Sequence, residues 1–422
     1  MYEIKSVSAR QIFDSRGNPT IECTVSTGFG RFKAAVPSGA STGAREAIEL
    51  RDGGKEFNGL GVLNAVRNVN DILNVVVRGR DCRQQKLIDA LLVREDGTPN
   101  KSKLGANALL SVSLAVAKAG AAAENLELHE YLSSISSRSP MMPVPALNII
   151  NGGKHAGNSL DFQEYQILPV GFNSFKEAFS AGVEVFHQLK KNLEKSYGRG
   201  AINVGDEGGF APPLRKVEEP IDEILKAIEA TGYAKEMMLG LDVAASSFFM
   251  GGRYIVEKNS LGPVSMMEEY ETLMKYYPIA SIEDPFAETD FHSWDEMVKR
   301  FGKRVQILAD DLTVSQEKIV AEAVIKKRAN ALLLKVNQVG TLSEALEAAE
   351  LALNSDWNVQ VSHRSGETND SFIADLSVGL GCGQIKSGAP CRGERLSKYN
   401  RLLDIEETSS IPFAGRRAFK PK

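Results

Sequence analysis

Six short apolar runs in the second part of the chain each end on or beside a titratable residue. The runs are MLGLDVAA, IASIEDPF, VQILADDL, ANALLLKVNQ, NVQVSHRSGE and GQIKSGAP. From one of these titratable residues to the next, the intervals are 41, 27, 25, 28 and 23 positions. Strand–helix units of that length, repeated so often, predict a parallel sheet closed into a barrel.

The N-terminal part of the chain follows a different pattern. The segment TIECTVSTGFGRFKAAV alternates apolar and polar residues around a glycine turn, which predicts an antiparallel hairpin. Helical spacing follows from about residue 62 to residue 132, and the serine- and proline-rich stretch SSISSRSPMMPVP then indicates a linker. A chain of 422 residues is therefore expected to form two domains, residues 1–136 and 137–422.

Composition narrows the classes of function. The net charge of −4 gives no electrostatic reason to expect nucleic acid or a membrane surface as a partner. The four cysteines form no C-x-x-C pair, and the N-terminal residues contain no apolar signal region. The apolar segment ALLSVSLAVAKAGAAAE is interrupted by Lys118 and is expected to be too short and too alanine-rich to span a bilayer. We therefore expect a cytoplasmic protein with no membrane insertion.

The strand ends are predicted to form a site, because the carboxyl ends of barrel strands meet on one face. Three carboxylates and two lysines lie at such ends: Asp242, Glu283, Asp310, Lys335 and Lys386. One charged residue there is most simply a solvated strand end, but five of them on successive units are harder to explain in that way. Carboxylates converge in a buried site only around a cation, and ligands that are all oxygen suit Mg²⁺ better than zinc.

Polar residues in other segments extend this candidate site. NGGKHAGN contains His155, FQEYQILPV contains Glu164 in a predicted strand, VGDEGGFAPP contains Glu207, and SHRSGET contains His363, Arg364 and Ser365. A guanidinium next to a hydroxyl can bind phosphate oxygens. Taken one at a time, His155 could be an ordinary loop histidine, Glu207 a turn carboxylate and Arg364 a surface arginine.

The same blocks resemble the enolase family from end to end and in the family's order. They include DSRGNPT, VPSGASTG, LGANALLSVSLA, NGGKHAGN, GDEGGFAP, SIEDPF, ADDLTV, LLLKVNQVGTLSEA, SHRSGET and GQIKSGAP. The departures are Ser247, where an acidic residue is frequent, and Gly393, where serine is common. The resemblance implies an α/β fold in which a smaller N-terminal α+β domain caps a C-terminal (β/α)8 barrel with an irregular ββαα start.

The resemblance also implies the reaction, a reversible Mg²⁺-dependent dehydration of 2-phosphoglycerate to phosphoenolpyruvate, carried out by a homodimer. By similarity Lys335 removes the proton at C2, and the metals and Lys386 are expected to lower its pKa. Glu207 is the acid that releases the C3 hydroxyl. Glu164 is expected to keep the proton on Glu207, because two close carboxylates tend to share one.

Further roles implied by the resemblance concern the metals and the rest of the substrate. A first Mg²⁺ is held by Asp242, Glu283 and Asp310, and a second Mg²⁺, which arrives with the substrate, by Ser41. Lys386 faces the substrate carboxylate, Arg364 and Ser365 hold the phosphate, His155 closes over the site, and His363 has a weaker supporting role.

The loop AVPSGASTG contains Ser41 and is expected, by resemblance, to be a lid that closes over the site. Gly39 and Gly43 are the expected hinges, because glycine accepts the dihedral changes that closure requires. The loop is no P-loop, since it lacks the lysine of the G-x-x-x-x-G-K-[ST] pattern.

Two other readings stay open from the sequence. Acid-sugar dehydratases and cycloisomerases of the same superfamily have a similar barrel but no need for the phosphate-binding pair Arg364 and Ser365. An enolase-like protein kept for binding or structure is expected to have lost at least one catalytic position, whereas here every position assigned to chemistry is present. Formation of phosphoenolpyruvate from 2-phosphoglycerate distinguishes these readings.

Overall fold

The N-terminal domain begins with a three-stranded antiparallel sheet. The fold comes from a computed structural model, which describes residues 2–39 and 43–420. The strands are β1 (Ser6–Phe13), β2 (Pro19–Ser26) and β3 (Arg31–Ala35). The predicted hairpin is confirmed, since β2 and β3 pair antiparallel with Val25 opposite Phe32.

Five α-helices follow this sheet. They are α1 (Leu63–Arg67), α2 (Asn74–Val77), α3 (Gln85–Asp96), α4 (Ala106–Ala123) and α5 (Leu128–Ser136), with a π-helical stretch, Asn68–Leu73, between α1 and α2. By length and hydropathy α4 could cross a membrane, so the expectation that it is too short is wrong. However, 83% of α4 is buried inside the protein. A helix that is apolar on all sides is typical of a protein core, and α4 packs between the sheet and its neighbouring helices.

The second part of the chain contains eleven more strands and eight more α-helices among the described residues. The strands are β4 (Val144–Asn151), β5 (Glu164–Pro169), β6 (Met237–Asp242), β7 (Phe249–Met250), β8 (Arg253–Val256), β9 (Asn259–Leu261), β10 (Ile279–Glu283), β11 (Gln306–Ala309), β12 (Ala331–Leu334), β13 (Asn358–Ser362) and β14 (Gln384–Lys386). The helices are α6 (Phe175–Tyr197), α7 (Glu218–Thr231), α8 (Pro263–Tyr276), α9 (Phe291–Phe301), α10 (Glu317–Lys326), α11 (Leu342–Asn354), α12 (Phe372–Gly379) and α13 (Gly393–Thr408).

Eight of these strands close into a barrel, in the order β4, β5, β6, β10, β11, β12, β13, β14. Strand β5 runs antiparallel to β4 and β6, and the other neighbours are parallel. Because α6 and α7 both follow β5, the barrel starts with a ββαα unit, as the resemblance implies. All six strands predicted from the repeated apolar runs are confirmed. Strands β7 to β9 form a small separate sheet.

Capping side chains define where several barrel helices begin. Ser174, Asp290 and Thr341 precede α6, α9 and α11, and each accepts a hydrogen bond from the backbone N–H three residues later. This bond satisfies a donor that the first helical turn leaves free. The helices therefore start at fixed points after the strand ends, which are where the site residues lie.

Strand β12 shows how alternation directs side chains at the barrel. Ala331 and Leu333 pack with Leu308 in a small cluster of their own, whereas Leu332 and Leu334 belong to the main hydrophobic core. Successive side chains thus point to opposite faces. Lys335 follows in an extended conformation and continues on the same face as Leu333.

Candidate active site

A row of carboxylates crosses three neighbouring barrel strands. Glu164 at the start of β5 lies opposite Asp242 at the end of β6, and Asp242 lies beside Glu283 at the end of β10. This register places the three side chains at one level of the barrel. The ammonium of Lys386, at the end of β14, contacts one oxygen of each. Its Nζ lies 3.0 Å from Glu164 Oε1, 3.1 Å from Asp242 Oδ2 and 2.7 Å from Glu283 Oε2.

The charges of this row are buried, and each of the four side chains is at most 4% exposed. Burial on its own lowers the pKa of Lys386, but Asp242 and the neighbouring carboxylates outweigh burial and hold this pKa well above its usual value. Burial, reinforced by Asp242, raises the pKa of Glu283 well above its usual range. The lysine is therefore charged, and it does not neutralise all the negative charge around it.

A small cavity of about 30 Å³ lies among these side chains. Its lining includes six carboxylates and three basic side chains: Glu164, Glu207, Asp242, Asp284, Asp310, Asp311, Lys335, Arg364 and Lys386. A cavity of this size admits a water molecule or an ion. The excess of negative charge and the oxygen ligands fit a hard divalent cation.

Lys335 and Asp310 form a buried ion pair on the opposite side of this cavity. The second oxygen of Asp310 accepts a hydrogen bond from Gln338 Nε2 at 2.9 Å. Burial lowers the pKa of Lys335, but Asp310 outweighs burial, and the pKa lies above its usual value. Among the protein's own groups, Arg364 and Lys386 lower the pKa of Lys335 less than Asp310 raises it.

Asp284 belongs to the site, although the sequence analysis did not single it out. Its carboxylate accepts hydrogen bonds from the backbone N–H groups of Asp310 at 2.9 Å and Asp311 at 3.0 Å. Oxygen atoms of these three residues lie within 4.8 Å of one another, close enough to share a metal ion. Burial and Asp310 raise the pKa of Asp311 to about 7. The adjacent acidic residues in SIEDPF and ADDLTV are the sequence feature that could have indicated Asp284 and Asp311 as site residues.

The three predicted ligands of the first metal do not form such a cluster. Asp310 groups with Asp284, whereas Asp242 and Glu283 contact Lys386. Strand register nevertheless sets Glu283 beside Asp242, and Asp242 and Asp310 line the same cavity.

A second cluster in the site consists of one histidine and two glutamates. His155 Nδ1 lies 3.7 Å from Glu164 Oε1 and 3.6 Å from Glu207 Oε1. Burial and the Glu207 charge raise the pKa of Glu164 well above its usual value. Burial also favours a proton on Glu207, but His155 and His363 outweigh burial and hold the Glu207 pKa well below its usual value. These directions favour the proton on Glu164, whereas the resemblance implies Glu207 as the protonated partner.

Arg364 connects the barrel to the N-terminal domain. Its Nη1 donates to Glu46 Oε2 at 3.0 Å and to Asn337 Oδ1 at 2.9 Å, and its side chain is 3% exposed. Ser365, the next residue, is also buried. The predicted phosphate-binding pair is thus inside the site rather than on the surface, at the point where the two domains meet.

The flanks of the predicted lid loop lie against this pair. Ser38 and Gly366 exchange two backbone hydrogen bonds of 2.7 and 2.9 Å. A Cβ at Gly39 would lie 2.0 Å from Nη2 of Arg364, and a Cβ at Gly43 would lie 2.5 Å from a Val314 methyl group. A side chain at either position would therefore force a neighbouring side chain to shift, a reason for glycine separate from the predicted hinge role. Ser41, the predicted ligand of the second metal, lies outside the described residues.

Comparisons with known proteins cover nearly the whole chain. Two family descriptions match: "Enolase, N-terminal domain" over residues 4–132, and "Enolase, C-terminal TIM barrel domain" over residues 139–422. The enolase of Methanocaldococcus jannaschii is 52% identical over 417 residues, which cover 98% of each chain. The enolase of Pyrococcus furiosus is 52% identical over 422 residues, 99% of this chain and 98% of its own. That of Solanum lycopersicum is 49% identical over 440 residues, 100% of this chain and 99% of its own.

The chain belongs to the enolase family. It is a lyase, a phosphopyruvate hydratase of glycolysis, and enolases depend on Mg²⁺. Similarity of this extent along the full length does not favour the binding-protein reading or another dehydratase of the superfamily.

Two polar side chains of the enolase site, Gln163 and Asn148, are not predicted from the sequence. Each forms a hydrogen bond to a predicted site residue. Gln163 Nε2 donates to Asp242 Oδ2 at 3.1 Å, and Asn148 Nδ2 donates to Glu207 Oε2 at 3.0 Å. Neither type of residue is titratable, so charge patterning could not find them. Gln163 precedes Glu164 in the block FQEYQ, which was the one local signal.

Proposed function

We propose that the chain dehydrates 2-phosphoglycerate reversibly to phosphoenolpyruvate, with Lys335 as the base at C2 and Glu207 as the acid at the C3 hydroxyl. The observation that carries this proposal is that both side chains line one small buried cavity, together with Lys386 and Arg364. A base that follows strand β12 and an acid from a turn that reach one ligand suit removal of a proton and a hydroxide from adjacent carbons. Purified protein with 2-phosphoglycerate and Mg²⁺ should form phosphoenolpyruvate, and the absence of product would overturn the proposal.

Lys335 must release its proton before it can act as a base. In our proposal Asp310 is also a Mg²⁺ ligand, and in that role it is a weaker partner for the Lys335 ammonium. Burial, Arg364 and Lys386 all lower the pKa of Lys335, and they are opposed chiefly by Asp310. Loss of the Asp310 contact therefore moves this pKa toward the range that a base requires.

The residues present suit magnesium, because the ligands are all carboxylate oxygens and negative charge exceeds positive charge around the cavity. We propose that Asp242, Glu283 and Asp310 hold the first Mg²⁺ and that Ser41 contributes to a second Mg²⁺ arriving with the substrate. When bound, the metals supply positive charge where the substrate carboxylate becomes an enolate.

The other polar groups are proposed to orient the substrate. Lys386, a buried cation among carboxylates, would face the substrate carboxylate, and Arg364 with Ser365 would hold the phosphate. Arg364 already binds a carboxylate, that of Glu46, through two guanidinium nitrogens, which supports its capacity to bind an anion.

Glu207 can act as an acid only when it carries the proton of the Glu164–Glu207 pair. His155 Nδ1 lies at nearly equal distances from the two carboxylates, 3.7 and 3.6 Å. We propose that His155 allows the proton to pass from Glu164 to Glu207 as it closes over the substrate. His363 Nε2 lies 3.3 Å from the other oxygen of Glu207, Oε2. This proximity agrees with a secondary role for His363 beside the proposed acid.

Replacing Glu207 by glutamine is expected to lower turnover by roughly 10²- to 10⁴-fold while exchange of the C2 proton with solvent survives. Glutamine keeps the shape of the side chain but cannot donate a proton to the leaving hydroxide, and Lys335 is untouched. Steady-state turnover and solvent deuterium incorporation into 2-phosphoglycerate measure the two steps separately.

The matched control is Glu223→Gln, since Glu223 is also a buried glutamate but lies on α7, where it pairs with Lys226. Glu223→Gln should leave both rates near the wild-type values. If Glu207→Gln loses exchange as completely as turnover, the separate roles of acid and base are wrong.

Replacing Gly39 by alanine is expected to raise KM for 2-phosphoglycerate about tenfold, the cost of one charge-assisted hydrogen bond. The new Cβ would lie 2.0 Å from Arg364 Nη2, so the guanidinium proposed to bind phosphate must move. Steady-state kinetics measure the effect. Gly200→Ala is the control, because a Cβ there meets no atom within 4 Å. An unchanged KM in Gly39→Ala would contradict phosphate binding by Arg364.

We also propose the domain division at residues 136 and 137, a homodimer, and a cytoplasmic location. The division falls between α5, which ends at Ser136, and β4, which begins at Val144. The four cysteines are free, which is typical of a reducing compartment. Sedimentation at equilibrium tests the dimer, and limited proteolysis in the 137–143 segment tests the division.

A further inference from the structure

Arg395 on α13 is a buried arginine that has no part in the mechanism above. It has no exposed surface and makes four short contacts around the site. One guanidinium nitrogen lies 2.6 Å from His363 Nδ1 and donates to the Arg364 carbonyl at 2.6 Å. The other terminal nitrogen donates to the carbonyls of Ser365 at 2.6 Å and Asp206 at 3.0 Å. Arg395 therefore joins the segment that precedes Glu207 to the segment that contains His363.

The contact with His363 determines where the imidazole carries its proton. A guanidinium has only donors, so Nδ1 of His363 must accept and cannot itself be protonated. A neutral imidazole then carries its one proton on Nε2. Nε2 lies 3.3 Å from Oε2 of Glu207, one of the two oxygens of the proposed acid, although the ring orientation makes no hydrogen bond there.

An imidazolium is disfavoured at this position for the same reason. A proton on Nδ1 would face the buried guanidinium, donor against donor. Consistent with this, burial and the Arg395 charge lower the pKa of His363 to about 4, against the opposing pull of Glu207. Metal-ligating histidines show the same kind of control, in which the partner of one ring nitrogen fixes the state of the other.

We infer that Arg395 is a positioning residue that fixes His363 in the tautomer protonated on Nε2 and so directs an N–H toward Glu207. This inference rests on the proposed role of Glu207 as the acid. The N–H stabilises the glutamate that forms when Glu207 gives up its proton, and it holds the carboxyl group facing the cavity. Because Arg395 also binds the carbonyl of Asp206, the neighbour of Glu207, it fixes both partners of this contact.

The tautomer can be observed directly in the wild-type protein. The chain has five histidines, so ¹⁵N-labelled imidazole gives a small set of signals, and the His363→Gln variant identifies the one from His363. At pH 7 we expect an acceptor-type Nδ1 and a protonated Nε2. A protonated Nδ1, or an imidazolium, would overturn the inference whether or not the protein turns over 2-phosphoglycerate.

Two substitutions test the effect on the reaction. Arg395→Lys keeps a cation with donors only, so His363 should keep its tautomer. Arg395→Gln can donate or accept, so the tautomer should become mixed and kcat should fall about 10- to 100-fold, as for other residues that orient a reacting group. Arg395→Lys should recover most of that loss. The acid-side pH profile of kcat should move in Arg395→Gln and stay near wild type in Arg395→Lys.

Arg401→Gln is the matched control, since Arg401 lies on the same helix but pairs with Asp375 and Asp404 away from the cavity. It should change neither the His363 signals nor kcat.

An unchanged kcat in Arg395→Gln, together with a mixed tautomer, would overturn the positioning role. If Arg395→Gln does not fold, the wild-type spectrum and the Arg395→Lys variant decide the question. Full turnover in Glu207→Gln with the expected tautomer would instead refute the proposed acid.

Discussion

Replacement of Lys335 by alanine is expected to abolish exchange of the substrate's C2 proton with solvent and to lower kcat by at least roughly 10⁴-fold. The C2 proton is very weakly acidic, so its removal needs a base held next to it, and we propose that Lys335 is that base. The measurements are deuterium incorporation into 2-phosphoglycerate and formation of phosphoenolpyruvate, both made with saturating Mg²⁺.

Two control variants distinguish the loss of a base at position 335 from the loss of a positive charge there. Lys335→Arg keeps a cation beside Asp310, but a guanidinium does not release a proton at physiological pH, so exchange should remain absent. Lys326→Ala removes a lysine at the end of α10, the helix that precedes β12, and should leave exchange intact. Exchange at the wild-type rate in Lys335→Ala would assign the base to another residue.

Removal of divalent cations is expected to lower turnover by at least roughly 10³-fold, and addition of Mg²⁺ should restore it. The carboxylates around the cavity outnumber its basic side chains, and burial raises the pKa of Glu283. Without added positive charge, such a site repels the dianion that forms when the C2 proton leaves. Turnover is measured in excess EDTA and then during a Mg²⁺ titration.

Substitution of one proposed Mg²⁺ ligand tests whether the metal requirement arises at this site. Asp242→Asn should raise the Mg²⁺ concentration needed for half-maximal activity, because one of the proposed ligands loses its charge. Asp222→Asn is the control, since Asp222 accepts a hydrogen bond from Tyr277 at an exposed position on α7. Full activity in EDTA would rule out a metal mechanism.

The barrel strands could be predicted because their signals are local. Each run is bounded within a few residues, and the alternation in β12 continues as far as Lys335. The same locality explains why Glu164 was correctly placed in a strand, since β5 begins at that residue. Capping by Ser174 or Thr341 is also visible in a short window.

The protonation of the site could not be predicted in the same way. The sequence predicts the shared proton on Glu207, whereas His155 and His363 lower the pKa of Glu207. For Lys335, Asp310 raises the pKa more than the protein's own cations lower it. Each pKa depends on which opposite charge lies nearest, and those neighbours are far away in sequence. Asp310 is 25 positions from Lys335, and His363 is more than 150 positions from Glu207.

Asp284, Glu46 and Arg395 were missed for a related reason. Asp284 acts on the backbone of Asp310, and Glu46 reaches Arg364 from the other domain. Arg395 stands near the start of a helix rich in charged residues, so nothing in that window distinguishes it from a surface arginine. Its importance follows from complete burial and from its four partners around the site.

The sequence by itself determined the strand–helix rhythm, the placement of charged groups at the strand ends and the family to which the chain belongs. These depend on the period of the chain and on short blocks of residues. The tertiary structure decided which carboxylate holds the proton, which cation each carboxylate contacts, and which nitrogen of His363 faces Glu207. Those properties depend on distances of a few ångströms between buried groups, where the low dielectric makes the nearest partner dominate.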